Sequence, residues 1–232
     1  MDSAHRGALN TVLRDLQLVF GERLTAFLAY GDGRGDVAPS LALVGTLSAE
    51  DLSACAARAK TWHSDGAATP LLLTRDEFVR SLDAFPIEYG EILDTRHVMF
   101  GVDPFTGLTI RPDDVRRACE VQVKSHLLHL RENYVECGAR PSEVARLVAD
   151  SAPAFEAVLR RMARLDDRPA RTPAEIGAYA ASRPGIDPRV VGDVIALVGN
   201  GNYAPVNAAR LFPEYLAAVE QLWRFIDRWN AR

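Results

Sequence analysis

The chain changes character near its midpoint, and this change constrains its fold more than any other feature. Up to residue 101, apolar runs of strand length alternate with helix patterns, whereas from Pro112 onward we find helix patterns only. Alternation of this kind predicts an α/β domain with a mixed sheet, and the second half predicts an all-helical bundle. The runs interpreted as strands are LTAFLAY from Leu24, LALVG from Leu41, TPLLLT from Thr69, FPIEYGEI from Phe85 and RHVMFG from Arg96.

These patterns predict two domains, an α/β domain over residues 1–108 and a helical bundle over residues 109–232. The segment PFTGLTIRP, at residues 104–112, joins them. The stretch from Pro112 to Gly138 predicts one long helix that ends at the glycine. The other predicted helices of this half are Pro141–Val148, Ala152–Leu165, Pro173–Ala181, Arg189–Val198 and a final helix with an apolar stripe from Tyr215 to Trp229.

Three helix starts carry a capping signal. Ser48 is followed three residues later by Asp51, and Thr172 is followed three residues later by Glu175. In such a pair each side chain accepts a hydrogen bond from the backbone of the other residue, which satisfies amide groups that a helix leaves free. Thr74 is a third candidate cap, for a short helix that extends to about Leu82.

Composition excludes several classes of protein. The 232 residues carry a net charge of −4, which does not favour a broad nucleic-acid surface. No apolar run reaches the roughly 20 residues needed to span a bilayer. The three cysteines are widely spaced and form no CxxC pair, so neither a disulfide framework nor a zinc site is predicted. We expect a cytoplasmic protein, and the abundance of Arg and Ala over Lys suggests a bacterial source.

The segment AFLAYGDGRGDVAPSLALVG, from Ala26 to Gly45, has the outline of a phosphate-handling loop. Glycines let the backbone turn tightly and approach a phosphate group. A dinucleotide fingerprint would require G-x-G-x-x-G running into a helix, but here Pro39 and a strand follow the glycines. The segment therefore does not fit a dinucleotide site.

The same segment resembles the polymerase-β-like nucleotidyltransferases. In that superfamily a strand ends in Gly-Ser, a turn with Arg-Gly-Asp follows, and the next strand carries Asp-x-Asp. Tyr30-Gly31, the triplet RGD at residues 34–36 and the strand from Ser40 follow this order. The resemblance continues through LTRDEFVRSLDAFPIEYGEI and HVMFGVDPF, and the second half is similar to the helical domain of kanamycin nucleotidyltransferase. It implies ATP or another NTP, with Mg²⁺, at a site that includes Gly31, Asp32 and Gly33.

The departures from the superfamily's pattern concern the metal ligands. Two Mg²⁺ ions require a cluster of carboxylates, and the resemblance places Ser40 and Ala42 where the superfamily has two aspartates. Asp32 replaces the serine of Gly-Ser, and its carboxylate would repel a triphosphate. Glu88 stands at the third acidic position and is the one predicted metal ligand that remains. The resemblance therefore implies a degenerate member, or pseudoenzyme.

The long helix from Pro112 carries a second group of candidate residues. Glu120, Lys124 and Arg131 lie on one helical face by their spacing. The resemblance to kanamycin nucleotidyltransferase implies a general base at Glu120 and a phosphate contact at Lys124. Arg131 is a further candidate nucleotide-binding residue, and two interpretations stay open for it: it lines the cleft between the domains, or it pairs with a neighbouring acid. The alternative is an ordinary Glu–Lys pair on a solvated face. His126 and His129 have a spacing compatible with metal ligation, but packing or surface roles are favoured because no acidic ligand stands beside them.

Three functions stay open, and the sequence does not decide whether the chain is an enzyme. The first is a degenerate nucleotidyltransferase retained for nucleotide binding or for a partner. The second is an active nucleotidyltransferase that acts on a small hydroxylated acceptor and uses a relocated metal site of Asp32, Asp36 and Glu88. The third is a structural or antitoxin-like interaction protein. The partners these functions allow are a nucleotide or small molecule, another protein or a second copy of the chain; a membrane or nucleic-acid partner is not expected.

Overall fold

A computed structural model gives the fold in two compact units, Met1–Ile110 and Arg111–Arg232. The sequence predicts the boundary between residues 108 and 109. The structure describes residues 3–31, 37–170, 172–183, 185–198 and 205–229.

The first unit contains a four-stranded mixed sheet in the order β3-β2-β1-β4. Strand β1 is antiparallel to both of its neighbours, whereas β2 and β3 run parallel. The sheet confirms the predicted α/β class of this half. The strands are β1 (Leu24–Ala29), β2 (Ser40–Val44), β3 (Leu71–Leu73) and β4 (His97–Gly101).

Helices cover both faces of this sheet. Phe27 and Ala42 pack on one face with α1 and α2, and Leu28 and Leu41 pack on the other face with α3 and α4. All five residues of β2 are buried as a result. A strand buried on both faces has a continuous apolar sequence, which explains why LALVG shows no alternation. The helices are α1 (Ser3–Phe20), α2 (Ala49–Ser64), α3 (Arg75–Arg80) and α4 (Pro86–Thr95), and a 3-10 turn (Gly21–Arg23) follows α1.

The segment FPIEYGEI forms a helix, and the strand predicted there is wrong. Pro86 occupies the first turn of α4, where its missing N–H costs nothing. Tyr89 and Ile92, three residues apart, both face the core, which is a helical spacing. The ring of Tyr89 stacks on that of Phe78 of α3, with 4.2 Å between the ring centroids, and this contact holds α4 against α3. The sequence alone did not reveal that partner.

A clasp of charged groups fixes the end of α4. Arg96 directly follows the helix, and its guanidinium donates to both carboxylate oxygens of Asp103, at distances of 2.9 to 3.2 Å. Arg96 also donates to the carbonyl oxygen of Leu93. The backbone N–H of Phe105 donates to Asp103, so the clasp also orders the chain that follows β4.

The second unit is helical throughout its described residues, as predicted. Helix α6 differs from expectation, because it continues through Pro153 where the sequence predicts two helices. Buried Ala152 and Phe155 lie on either side of that proline, and the burial of this continuous face outweighs the roughly 3 kcal/mol that an interior proline costs. The helices are α5 (Pro112–Glu136), α6 (Pro141–Leu165), α7 (Pro173–Ala181), α8 (Pro188–Ile195) and α9 (Pro205–Ile226).

The capping predictions are confirmed. Ser48 with Asp51, and Thr172 with Glu175, form reciprocal capping boxes at the starts of α2 and α7. Thr74 caps α3 in the same way, through Glu77. Across the described part of the chain, no helix is both long enough and apolar enough to cross a bilayer.

Candidate functional site

The two positions that the resemblance pairs with metal-binding aspartates lie in the core of the first unit. Ser40 and Ala42 are two residues apart on β2, so their side chains point to the same face of the sheet. Their exposed fractions are 1% and 0%. Ala42 belongs to the apolar cluster that includes Leu16 of α1 and Trp62 of α2. The hydroxyl of Ser40 has no hydrogen-bond partner among the described groups.

The glycine at the end of β1 is held from two sides. The N–H of Tyr30 donates to the carbonyl of Pro39 at 3.3 Å, which extends the β1–β2 ladder by one bond. Gly31 then adopts φ of +86°, and a Cβ at this position would lie 3.3 Å from Pro39 Cγ. Its N–H donates to Thr95 Oγ1 at 2.8 Å. Because this amide is already bonded within the chain, Gly31 determines the path of the backbone and offers no free donor.

Two of the predicted nucleotide-binding residues, Asp32 and Gly33, lie outside the described residues, as does Asp36. The structure places Glu88 in the first turn of α4, with its side chain exposed. The sequence predicts a strand at this point, whereas the structure has a helix, and the role of Glu88 as a metal ligand stays a prediction. Among the described residues, no group of three or more His, Cys, Asp or Glu side chains is arranged to hold a metal ion.

The structure brings Glu120 and Lys124 together on α5. Lys124 Nζ lies 2.7 Å from Glu120 Oε1, and Arg116 donates to Glu120 Oε2 at 3.0 Å. The hydrogen bonds from Lys124 and Arg116 hold the pKa of Glu120 below its ordinary value. A general base works best with a pKa near the operating pH. Glu120 is therefore ionised at neutral pH, but as a base it is weaker than an unpaired glutamate.

Two further residues, one near the end of α9 and one just after it, lie close to Lys124, and neither contact was predicted from the sequence. Asp227 Oδ1 lies 3.3 Å from Lys124 Nζ, and the ring centroid of Trp223 lies 6.0 Å from the same nitrogen. Asp227 is 103 residues from Lys124. No local pattern could have linked them. Together Glu120 and Asp227 hold the pKa of Lys124 above its ordinary value, so the ammonium keeps its charge.

Arg131, the third predicted residue of α5, is paired elsewhere. Its Nη2 atom lies 2.6 Å from Glu220 Oε1 on α9. This ion pair joins α5 to α9, while 48% of the Arg131 side chain stays exposed. The structure thus gives Arg131 a contact between helices and does not place it in the Glu120–Lys124 pair.

The histidines of α5 have the packing and surface positions that the sequence favours. His126 Nε2 is 2.6 Å from the hydroxyl of Tyr215, which also accepts from Ser151 Oγ at 3.2 Å. Burial lowers the pKa of His126 to about 4, with a smaller contribution from His129. His129 is exposed and lies beside Glu132. His126 is therefore neutral at physiological pH and belongs to a buried polar network.

Comparison with solved structures gives a match along nearly the whole chain. The spectinomycin adenyltransferase AAD(9) from Enterococcus faecialis, in its crystal structure with ATP and spectinomycin, is similar over 93% of this chain and 99% of its own, with a TM-score of 0.59. The chain has a nucleotidyltransferase-like fold. Sequence identity between the two is 13%, so the likeness concerns the fold alone. No protein-family model matches the chain, and no curated protein does so at a significant level.

The side chains on β2 do not fit a two-metal site of the kind that the resemblance implies. Alanine has no ligand atom, and a serine hydroxyl is a weak neutral ligand for a hard cation that prefers carboxylates. Both side chains are also closed off from solvent, and Ala42 packs with residues of α1 and α2. We therefore derive no catalytic step through metal ions at Ser40 and Ala42.

Proposed function

We propose that this chain binds ATP or another nucleoside triphosphate on its nucleotidyltransferase-like fold without carrying out ordinary two-metal nucleotidyl transfer. The observation that carries the absence of two-metal transfer is the burial of Ser40 and Ala42, at the positions that the resemblance assigns to the aspartate pair. Nucleotide binding is supported by the fold shared with an adenyltransferase crystallised with ATP. Under this proposal the fold is retained for recognition of the nucleotide.

Attack on an α-phosphate requires compensation of the charge that develops on the phosphate oxygens. In two-metal enzymes the cations supply it, and they are held by a cluster of carboxylates. In this chain the cationic side chain of Lys124 is already paired with the carboxylates of Glu120 and Asp227. Such cations can hold a bound anion in place, which is sufficient for binding.

Calorimetric titration with ATP, in the presence and absence of Mg²⁺, tests the proposal. We expect binding in both conditions, with dissociation constants that agree within about threefold, because no pair of carboxylates on β2 couples the ion to the nucleotide. No pyrophosphate should be released with hydroxylated acceptors. Binding that requires Mg²⁺ and is lost in Glu88→Gln would contradict the proposal and favour a relocated metal site. The absence of heat would favour the structural or antitoxin-like role.

Lys124 is part of the proposal as a phosphate contact. Its side chain is 38% exposed, and we expect a phosphate oxygen to reach the ammonium while the pair with Glu120 persists. We expect Lys124→Ala to weaken ATP binding by about tenfold, because a charge-assisted contact is lost and the carboxylates of Glu120 and Asp227 are left to repel the triphosphate.

The chain offers one matched control for this variant, because Lys60 is its only other lysine. Lys60 is exposed on α2, and Lys60→Ala removes the same charge from the protein. ATP affinity should stay within about twofold of the wild type in that variant. Equal weakening in both variants would show a general effect of net charge, and no weakening in Lys124→Ala would remove Lys124 from the nucleotide site.

A further inference from the structure

Lys124 pairs with two carboxylates that differ in how firmly they are held. Its Nζ atom lies 2.7 Å from Glu120 Oε1 on the same helix, and 3.3 Å from Oδ1 of Asp227, the residue that follows α9. The Glu120 side chain is 24% exposed and also accepts from Arg116, whereas the Asp227 side chain is 56% exposed. The hydrogen bond to Glu120 contributes most to the raised pKa of Lys124, and the bond to Asp227 contributes less. Asp227 is therefore the more easily displaced of the two.

The carboxylate of Asp227 also marks a position from which an anionic oxygen reaches the ammonium of Lys124. An ammonium has three N–H donors, so it can exchange one carboxylate for another anion while it keeps its other bonds. Exposed ion pairs such as this one are weak. A triphosphate carries several negative charges and is a stronger partner for an ammonium than a single carboxylate is. A phosphate oxygen can therefore take the position that Asp227 occupies.

We infer that Asp227 is an internal competitor of the anionic ligand: its carboxylate occupies the anion position on Lys124 when no ligand is bound, and a phosphate oxygen displaces it on binding. The inference rests on the proposed phosphate contact at Lys124. Glu120 keeps its bond to the ammonium in both states. Asp227 therefore lowers the affinity of Lys124 for anions, and it does so from a position 103 residues away in the sequence.

A purely structural role of Asp227 predicts the opposite effect on binding. If its carboxylate mainly held Lys124 in place, removal of the charge would let the lysine side chain move, and anion binding would weaken. If the carboxylate competes, its removal strengthens binding, because an N–H donor of the ammonium becomes available and a repelling charge is lost. The sign of the change in affinity thus distinguishes competition from support.

Three variants test this inference by calorimetry on the full chain. Asp227→Asn removes the charge and nearly keeps the shape, whereas Asp227→Glu keeps the charge. Glu214→Gln is the matched control, because Glu214 is an exposed carboxylate of the same helix and also pairs with a cation, Arg189, at 2.9 Å. The two probes are ATP and inorganic tripolyphosphate, which carries the phosphates without the nucleoside.

We expect Asp227→Asn to bind both probes about five- to tenfold more tightly than the wild type. Asp227→Glu should stay within about threefold of the wild type, and Glu214→Gln within about twofold. Unchanged or weaker binding in Asp227→Asn would overturn the competition and leave the proposed nucleotide binding intact. Equal tightening in Glu214→Gln would show an effect of net charge and would also overturn it. Tightening for ATP alone would exclude the phosphates as the competing group.

Failure of the proposed function is recognised separately, from the wild type. If the wild type binds neither probe, nucleotide binding by this chain fails as a proposal. Binding by Asp227→Asn in that case would still support the competition, since removal of the carboxylate would have opened the anion position on Lys124. No binding by either protein would overturn the competition as well.

Discussion

Placing aspartates at positions 40 and 42 is expected to destabilise the first unit by about 3 to 5 kcal/mol without creating a metal site. Both side chains are at most 1% exposed, and Ala42 lies within an apolar cluster formed with α1 and α2. A carboxylate at either position would be buried without a partner, or burial would raise its pKa so that it takes up a proton. We expect the variant Ser40→Asp/Ala42→Asp to show a lower midpoint of urea unfolding, with no recovery on addition of Mg²⁺.

Ala42→Asn is the control for this variant, because it has nearly the same shape and no charge. The asparagine variant should lose less stability than Ala42→Asp at neutral pH, and the difference should shrink on acidification as the aspartate takes up a proton. If Mg²⁺ instead raised the unfolding midpoint of the double aspartate variant, the site would be able to hold metal. The proposal of binding without transfer would then lose its main support.

Acidification from neutral pH to about 4.5 is expected to lower the free energy of unfolding by about 2 to 3 kcal/mol through His126 alone. Its pKa is about 4 in the folded chain, against an ordinary value of 6.5, because burial disfavours the charged ring. The groups that face it are the hydroxyl of Tyr215, the ring of Phe155 and, on its own helix, His129. None of them is an anion that could stabilise the imidazolium.

The sign follows from proton binding. Between pH 6.5 and 4 the unfolded chain takes up a proton at His126 that the folded chain does not, so acid favours unfolding in that window. His126→Gln keeps an acceptor for the hydroxyl of Tyr215 and removes the titration. On acidification its free energy of unfolding should therefore fall by about 2 to 3 kcal/mol less than that of the wild type. His129→Gln, at an exposed position on the same helix, should behave like the wild type. Equal pH dependence in all three proteins would contradict the buried neutral state of His126.

Local chemistry made much of the fold predictable from the sequence. The capping boxes at Ser48 and Thr172 depend on residues three positions apart, and both formed as expected. The apolar run of β2 and the helical spacing of α5 are likewise local. The likeness to an adenyltransferase fold agrees with the resemblance drawn from the order of Tyr30-Gly31 and the strand at Ser40.

The failures share a physical cause, which is that tertiary partners decided the outcome. The sequence predicts a strand from Phe85, whereas the stack of Tyr89 on Phe78 that stabilises the helix joins two separate segments. The contact between Asp227 and Lys124 likewise joins residues that are 103 positions apart in the sequence. The sequence predicts a break before Ala152, with Pro153 in the first turn of a second helix, because the local cost of an interior proline is visible in the sequence, whereas the compensating burial of α6 is not.

The distribution of the two lysines has a practical consequence. Lys60 lies on α2 and Lys124 on α5, so each compact unit carries a single ε-amine. Their environments differ, because Lys60 is exposed whereas Lys124 is held as an ammonium by two carboxylates. Acylation requires the neutral amine, so an amine-reactive dye should label Lys60 before Lys124. With the α-amine of the chain blocked beforehand, stepwise labelling with two dyes would place one fluorophore on each unit without the introduction of any cysteine.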